Sequence, residues 1–247
     1  MIRAFLTAVA FLTRFPVAVA DTTDRDLGRS VAWFPLVGVL LGGMVVGIAY
    51  ALSFVWPSGV IAVVVVTFLA GVTGGLHLDG LSDVFDGLGG GGQDRARTLA
   101  IMRDSRIGAH GATALVLVLV AKVVGVAALL ETGDLAGVLA VPALARWAVT
   151  PQLVFFPSAR VDGLGRAFNG QARVGDLLVA TATALALLVA LGPAHLGQAG
   201  AVLAVSFSMA IWMRSRLGGL TGDVYGATIE LCETAALFAA SIHHTSR

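Results

Sequence analysis

Val31-Ala32-Trp33-Phe34-Pro35-Leu36-Val37-Gly38-Val39-Leu40-Leu41-Gly42-Gly43-Met44-Val45-Val46-Gly47-Ile48-Ala49-Tyr50-Ala51-Leu52-Ser53-Phe54-Val55-Trp56 carries no ionisable side chain except Tyr50. The uncharged stretch extends further, from Arg29 to His77. A helix rises about 1.5 Å per residue, so roughly 20 apolar residues cross the hydrocarbon core. The stretch is therefore long enough for a pair of spans. A second one, from Asp176 to Arg214, is interrupted only by His195 and has room for another pair. The chain as a whole is 57% hydrophobic and 13% charged, with a mean hydropathy of +0.89. Soluble domains carry about 25% charged residues, so this chain has too few to clothe a core of its own size. A net charge of +1 without any basic run argues against a nucleic-acid partner. The single cysteine, Cys232, excludes an internal disulfide and reads as a small packing residue.

Extending this reading along the chain predicts an all-α, polytopic transmembrane bundle forming one integral membrane domain over residues 1–247, with about seven spans. These fall at 31–56, 60–76, 109–130, 136–156, 177–191, 199–213 and 224–242. Glycines 38, 42, 43 and 47 in the first span read as points of close helix approach. Residues 1–20 have a basic start, an apolar run and Ala18-Val19-Ala20, as a cleavable export signal would. Arg14 and Pro16, lying between that run and the small residues, favour an interfacial or re-entrant segment instead. Placing the N-terminus inside puts thirteen of the 16 Lys and Arg residues on the inner side. Lys122 and Arg146 then fall inside spans and Arg247 outside. This orientation turns the working face to the cytoplasm.

The inner segments hold the residues with chemical potential. Asp79, Asp83 and Asp86 follow Gly74-Gly75-Leu76-His77 at spacing i, i+4, i+7, which is one face of a continuing helix. Stacked carboxylates with no basic residue among them suit a hard cation such as Mg²⁺, which binds a few carboxylates together with substrate phosphate. The bland alternative is a solvated acidic helix end. Near the C-terminus, Gly218-Gly219-Leu220-Thr221-Gly222-Asp223 leads to Glu230 and Glu233. Asp223 and Glu230 share a face, and the two glutamates either hold a cation or pair with Arg146 or Lys122. Between these clusters, Arg103, Asp104, Arg106 and His110 precede the third span. Guanidinium offers paired donors to phosphate, although flanking inner-face charge explains the arginines equally. The run 89–92 is all glycine but lacks the Lys-Ser/Thr of a phosphate loop, so it reads as a flexible linker. Carboxylates, a divalent cation and arginines together point to phosphoryl- or nucleotidyl-type transfer.

Several segments resemble the cobalamin (5′-phosphate) synthase family, the adenosylcobinamide-GDP ribazoletransferases. They are residues 11–17, 34–38 and 75–87, Ile101-Met102-Arg103-Asp104-Ser105-Arg106-Ile107-Gly108, and 218–223 with Gly226, Ala227 and Glu230. The resemblance runs from about residue 5 to 235. It implies a Mg²⁺-dependent, multi-pass enzyme of the inner cell membrane, in contact with lipid, acting in late cobalamin assembly. Such an enzyme joins adenosylcobinamide-GDP to α-ribazole or its 5′-phosphate and releases GMP. On this resemblance Asp79, Asp83, Asp86 and Asp223 are metal ligands, while Asp223 and Glu230 complete the site or orient the attacking hydroxyl. Arg103, Arg106 and Arg14 neutralise the pyrophosphate, with His77, Asp104, His110 and Arg216 at the substrate. The role of His77 is open, as is a homo-oligomeric state. Two alternative readings make different demands on the sequence. A CDP-alcohol phosphotransferase would carry an Ala-Arg pair where Leu81-Ser82 stands here, and an ion-coupled transporter would place its carboxylates near the bilayer midplane.

Overall fold

The computed structural model describes residues 1–242. Twelve α-helices account for the fold among them: α1 (Ile2–Leu12), α2 (Asp24–Ser30), α3 (Phe34–Leu52), α4 (Ser58–Val72), α5 (Leu76–Gly91), α6 (Arg95–Ile101), α7 (Ala109–Thr132), α8 (Leu135–Phe155), α9 (Leu164–Gln171), α10 (Val174–Leu191), α11 (Leu196–Leu217) and α12 (Gly222–Ile242). Five helical segments are long and apolar enough to cross a membrane, or six if the bent pair α4 and α5 counts as one. The chain is thus an all-α polytopic bundle. Val116, Leu117, Val120 and Val124 lie exposed along α7, and Leu178, Leu185 and Val189 along α10. Large apolar side chains left outside a bundle are what lipid solvates and water does not.

The count differs from the seven spans read from the sequence, for two physical reasons. First, the second apolar run does not continue straight into the acidic motif. Gly74 and Gly75 both adopt positive φ, at 62° and 69°. The Gly75 N–H donates to the Ala70 carbonyl at 2.9 Å and the Gly74 N–H to the Gly71 carbonyl at 3.0 Å. This is the Schellman pattern, which ends a helix in a left-handed residue that glycine adopts without strain. α5 therefore restarts at 88° to α4. Second, α12 has the length of a span, yet Asp223, Glu230 and Glu233 lower its hydropathy. It tolerates them because it packs in the middle of the bundle, along α5, α7, α8 and α11. Arg247, read as the one outer basic residue, lies outside the described residues.

α8 is the other central helix, packed along α3 and α12. The helix contacts around it are polar at a few points. The Gln152 amide donates to the Ser206 carbonyl at 2.8 Å, and the Ser206 hydroxyl donates to the Ala148 carbonyl at 2.7 Å. Hydrogen bonds of this kind hold helices together where no hydrophobic force acts between them. α1 is too short to cross. It packs on α2 and α3 with Ala4, Ala8 and Leu12 buried, and Arg3 donates to Asp26 at 3.1 Å. Beyond α1, the Arg14 N–H meets the Val72 carbonyl at 2.7 Å and satisfies the open end of α4. The glycine run 89–92 is helical as far as Gly91, contrary to its reading as a linker. Its missing side chains let α6 and the His110 ring pack directly on α5.

Candidate active site

The acidic motif is positioned by backbone contact between two helices. A Cβ on Gly80 would lie 2.7 Å from the Asp223 carbonyl oxygen, so only glycine lets α5 and α12 cross there. That crossing brings Asp79 and Asp83 beside Asp223. Asp83 lies in the field of Asp79, Asp223 and Asp86, with Arg160 as the opposing charge. Arg160 is supplied by the loop after α8. The Ala159 N–H donates to the Leu220 carbonyl and the Leu220 N–H to the Pro157 carbonyl, both at 2.8 Å. These bonds staple the loop to the turn before α12. Gly219 makes the staple possible, because any side chain there would strike Pro157 and Ser158. Arg95 of α6 adds hydrogen bonds to the carbonyls of Leu217 at 2.6 Å and Ala159 at 3.0 Å. The result is an Arg160–Asp223 ion pair at 2.9 Å. Two further Arg160 nitrogens, Nε and Nη2, are buried without a partner. A buried guanidinium with open donors is an anion site in waiting.

These groups border a cavity of about 260 Å³. Its polar part is formed by His77, Asp79, Arg160, Asp162, Arg166 and Asp223, and its apolar part by Phe11, Leu12, Phe34, Val149, Leu153 and Phe168. The sequence reading placed the acids of α5 and α12 together; Asp79 and Asp223 border the cavity, and Asp83, within their field, does not line it. The structure does not gather all four carboxylates into a cage. Asp86 instead accepts from the N–H groups of Gly108 at 2.7 Å and Gly111 at 2.8 Å. Those are open donors at the start of α7, where a carboxylate is favoured by geometry and by the helix dipole. Among the described residues, no group of three or more His, Cys, Asp or Glu is arranged to hold a metal ion.

Glu230 also has another employment. It faces Lys122 at 2.7 Å, while Glu233 pairs with Lys122 at 2.5 Å and with Arg146 at 2.7 Å. This tetrad is buried and electrically balanced, which settles the choice between ion pairing and cation binding for both glutamates. His77 sits between the tetrad and the cavity, 3% exposed, with Nε2 unpartnered. Arg103 donates to Asp162 at 2.7 Å and so reaches the mouth of the cavity indirectly. Arg106 closes on Asp104 at 2.6 Å, and its hydrogen bonds hold that carboxyl down at about 2. Arg216 is turned to the Gln93 side chain and the Gly92 carbonyl, His110 packs against Gly89, and Arg14 lies beside Gly74; none of these three borders the cavity. Arg160, Asp162, Arg166 and Phe168 were missed as site residues. Only the charge of the loop was visible in the sequence, and it read as flanking inner-face charge.

A family model described as cobalamin-5-phosphate synthase matches residues 4–241. An adenosylcobinamide-GDP ribazoletransferase of Roseiflexus sp. (strain RS-1) is 41% identical over 93% of this chain and 86% of its own length. The enzyme of the same name from Geotalea daltonii is 39% identical, covering 96% of each chain. That from Pseudomonas aeruginosa strain PAO1 is 40% identical, covering 98% of each. No solved structure matches. The match spans α1 through α12 and so includes every element that lines the cavity: this chain belongs to the cobalamin-5-phosphate synthase family.

Proposed function

We propose that the protein transfers the cobinamide phosphate of adenosylcobinamide-GDP to α-ribazole or its 5′-phosphate, releasing GMP, at the cytoplasmic face of the inner membrane. The observation that carries this reading is the cavity wall that sets Asp79 and Asp223, with Asp83 in their field, beside an arginine with two open, buried donors. An acidic wall alone would repel a pyrophosphate. Arg160 supplies the attraction, and the carboxylates supply hard oxygen ligands for Mg²⁺. The donor set fits that ion: Mg²⁺ is held by one or two carboxylates plus substrate phosphate rather than by an all-protein cage. Asp79 and Asp83 would hold it, Asp86 being occupied by the start of α7. When bound, the ion neutralises charge on the pyrophosphate.

The chain's own groups do the rest. Pyrophosphate oxygens complete the hydrogen bonding of Arg160, and in doing so compete with Asp223 for the guanidinium. Asp223 is then available to accept the hydrogen bond of the ribose hydroxyl that attacks. A P–O bond forms between that hydroxyl oxygen and the cobinamide-side phosphorus as the bridging P–O bond breaks. The hydroxyl proton passes to Asp223 and on to solvent, and GMP leaves with the bridging oxygen. Positioning and charge neutralisation supply most of the acceleration in such transfers.

The experiment is conversion of adenosylcobinamide-GDP and α-ribazole by the full chain in lipid nanodiscs with Mg²⁺. A corrinoid product is expected, with Asp83→Ala folded but at least about a hundredfold slower. Folded wild type that forms no product would overturn the reading. An active Asp83→Ala would remove the metal assignment.

A further inference from the structure

The cavity joins two chemically different clusters. On one side Asp79, Asp223 and Arg160 concentrate charge. On the other, Phe11, Phe34 and Phe168 form a continuous aromatic wall. The Phe11 and Phe168 ring centroids are 4.5 Å apart and those of Phe34 and Phe168 are 5.8 Å apart. Leu12, Val149 and Leu153 complete this side. The nearby backbone carbonyls of Leu153 and Phe156 are already taken by the Asn169 amide, at 3.0 and 2.5 Å. The aromatic side therefore presents mainly apolar surface; besides Arg160, the buried side-chain atoms of the cavity lining left without a partner are the Tyr225 hydroxyl and His77 Nε2.

From this we propose that the Phe11–Phe34–Phe168 wall is the subsite for the base of the acceptor riboside, and that it selects apolar fused-ring bases. The inference rests on the function proposed above and specifies which part of which substrate enters. Size excludes the corrinoid: about 260 Å³ lies just below the range of ligand pockets, roughly 300–1,000 Å³. Polarity then separates the two bases in play. Guanine carries an amide and an amino group, more polar positions than the Tyr225 hydroxyl and His77 Nε2 can serve, and an unpaired buried polar group is costly. The base of α-ribazole carries a single ring-nitrogen acceptor, which one donor such as the Tyr225 hydroxyl can serve, and otherwise gains ring contacts. With the base on the aromatic wall, its ribose is directed toward Asp223 and Arg160, where the attacking hydroxyl is needed. The guanosine and corrin parts of the donor remain outside the cavity.

Binding and turnover test this separately. Equilibrium dialysis of α-ribazole, imidazole riboside and guanosine against the full chain in nanodiscs, with empty nanodiscs as blank, needs no catalysis. α-Ribazole should bind best, and loss of the fused ring or addition of amide groups should weaken binding at least about threefold. Equal binding of all three would overturn the proposal. In turnover, Phe168→Leu and Phe11→Leu should raise the KM for α-ribazole about three- to tenfold while leaving the KM for adenosylcobinamide-GDP within about twofold. A rise in the donor KM alone, or no change in either, would overturn it. Selective α-ribazole binding without any turnover would sink the proposed function and leave the subsite standing.

Discussion

Replacing Lys122 by Met should unfold the bundle from its centre. Among the described residues, Lys122 Nζ is the sole counter-charge within 4 Å of Glu230, at 2.7 Å, and it shares Glu233 with Arg146. Lys122 is 4% exposed and Glu230 4% exposed, so solvent cannot take over the role. Removing the lysine leaves one carboxylate buried and unpaired, a loss of about 3–5 kcal/mol for a buried pair. The same arithmetic predicts a rescue. Adding Glu230→Gln removes the stranded charge, leaves the Arg146–Glu233 bond at 2.7 Å intact, and should return about 1–3 kcal/mol. Cys232, fully buried against the Val202 carbonyl at 3.4 Å, reports the opening. Its labelling by a maleimide in native membranes should speed up at least roughly a hundredfold in Lys122→Met, since each 1.4 kcal/mol is about tenfold. The double variant should fall between the single variant and the wild type. A Lys122→Met protein that labels as slowly as wild type would refute the reasoning, and so would a double variant no better than the single.

Other parts of the structure make their own demands. Asp86→Asn should cost about 1–2 kcal/mol of stability through the loss of its charge on the two N–H groups at the start of α7, read by the same labelling. Unchanged stability with lowered Mg²⁺ affinity would return Asp86 to the metal site. Gly38→Ala should cost about 1–3 kcal/mol, because its Cβ would strike the backbone of Pro142 and Ala143 on α8. Gly43→Ala, which faces open space on the same helix, should be neutral or slightly stabilising in a thermal melt. Arg160→Leu should leave folded protein in the membrane but slow transfer about a hundredfold or more, seen as corrinoid product per minute.

Much of this was legible because the bilayer imposes a coarse code. Uncharged stretches longer than a span can only be helices in lipid or in the centre of a bundle, so the all-α architecture followed from where charges are absent. Helical spacing put Asp79, Asp83 and Asp86 on one face, and the structure adds that Asp79 and Asp83 lie near Asp223 while Asp86 turns to the start of α7. The break between α4 and α5 was hidden, since Gly74-Gly75 reads equally as close packing or as a left-handed helix end. Only the hydrogen bonds to Ala70 and Gly71 decide between them. Glu230 and Glu233 carried a true ambiguity: their partners Lys122 and Arg146 lie on other helices, and sequence spacing does not register helices against one another. Arg160 and Phe168 were invisible for a related reason. The loop that carries Arg160 and leads into α9 with Phe168 gains meaning only through the staple to Leu220, a long-range backbone pairing with no side-chain signature except Gly219.

The central claim concerns which phosphorus is attacked, and the nucleotide released reports it. Full-length protein in nanodiscs should release GMP, one for each corrinoid product formed, and only when α-ribazole is present. Guanylylated α-ribazole with free adenosylcobinamide phosphate in place of GMP, or release of GMP in the absence of α-ribazole, would contradict the account.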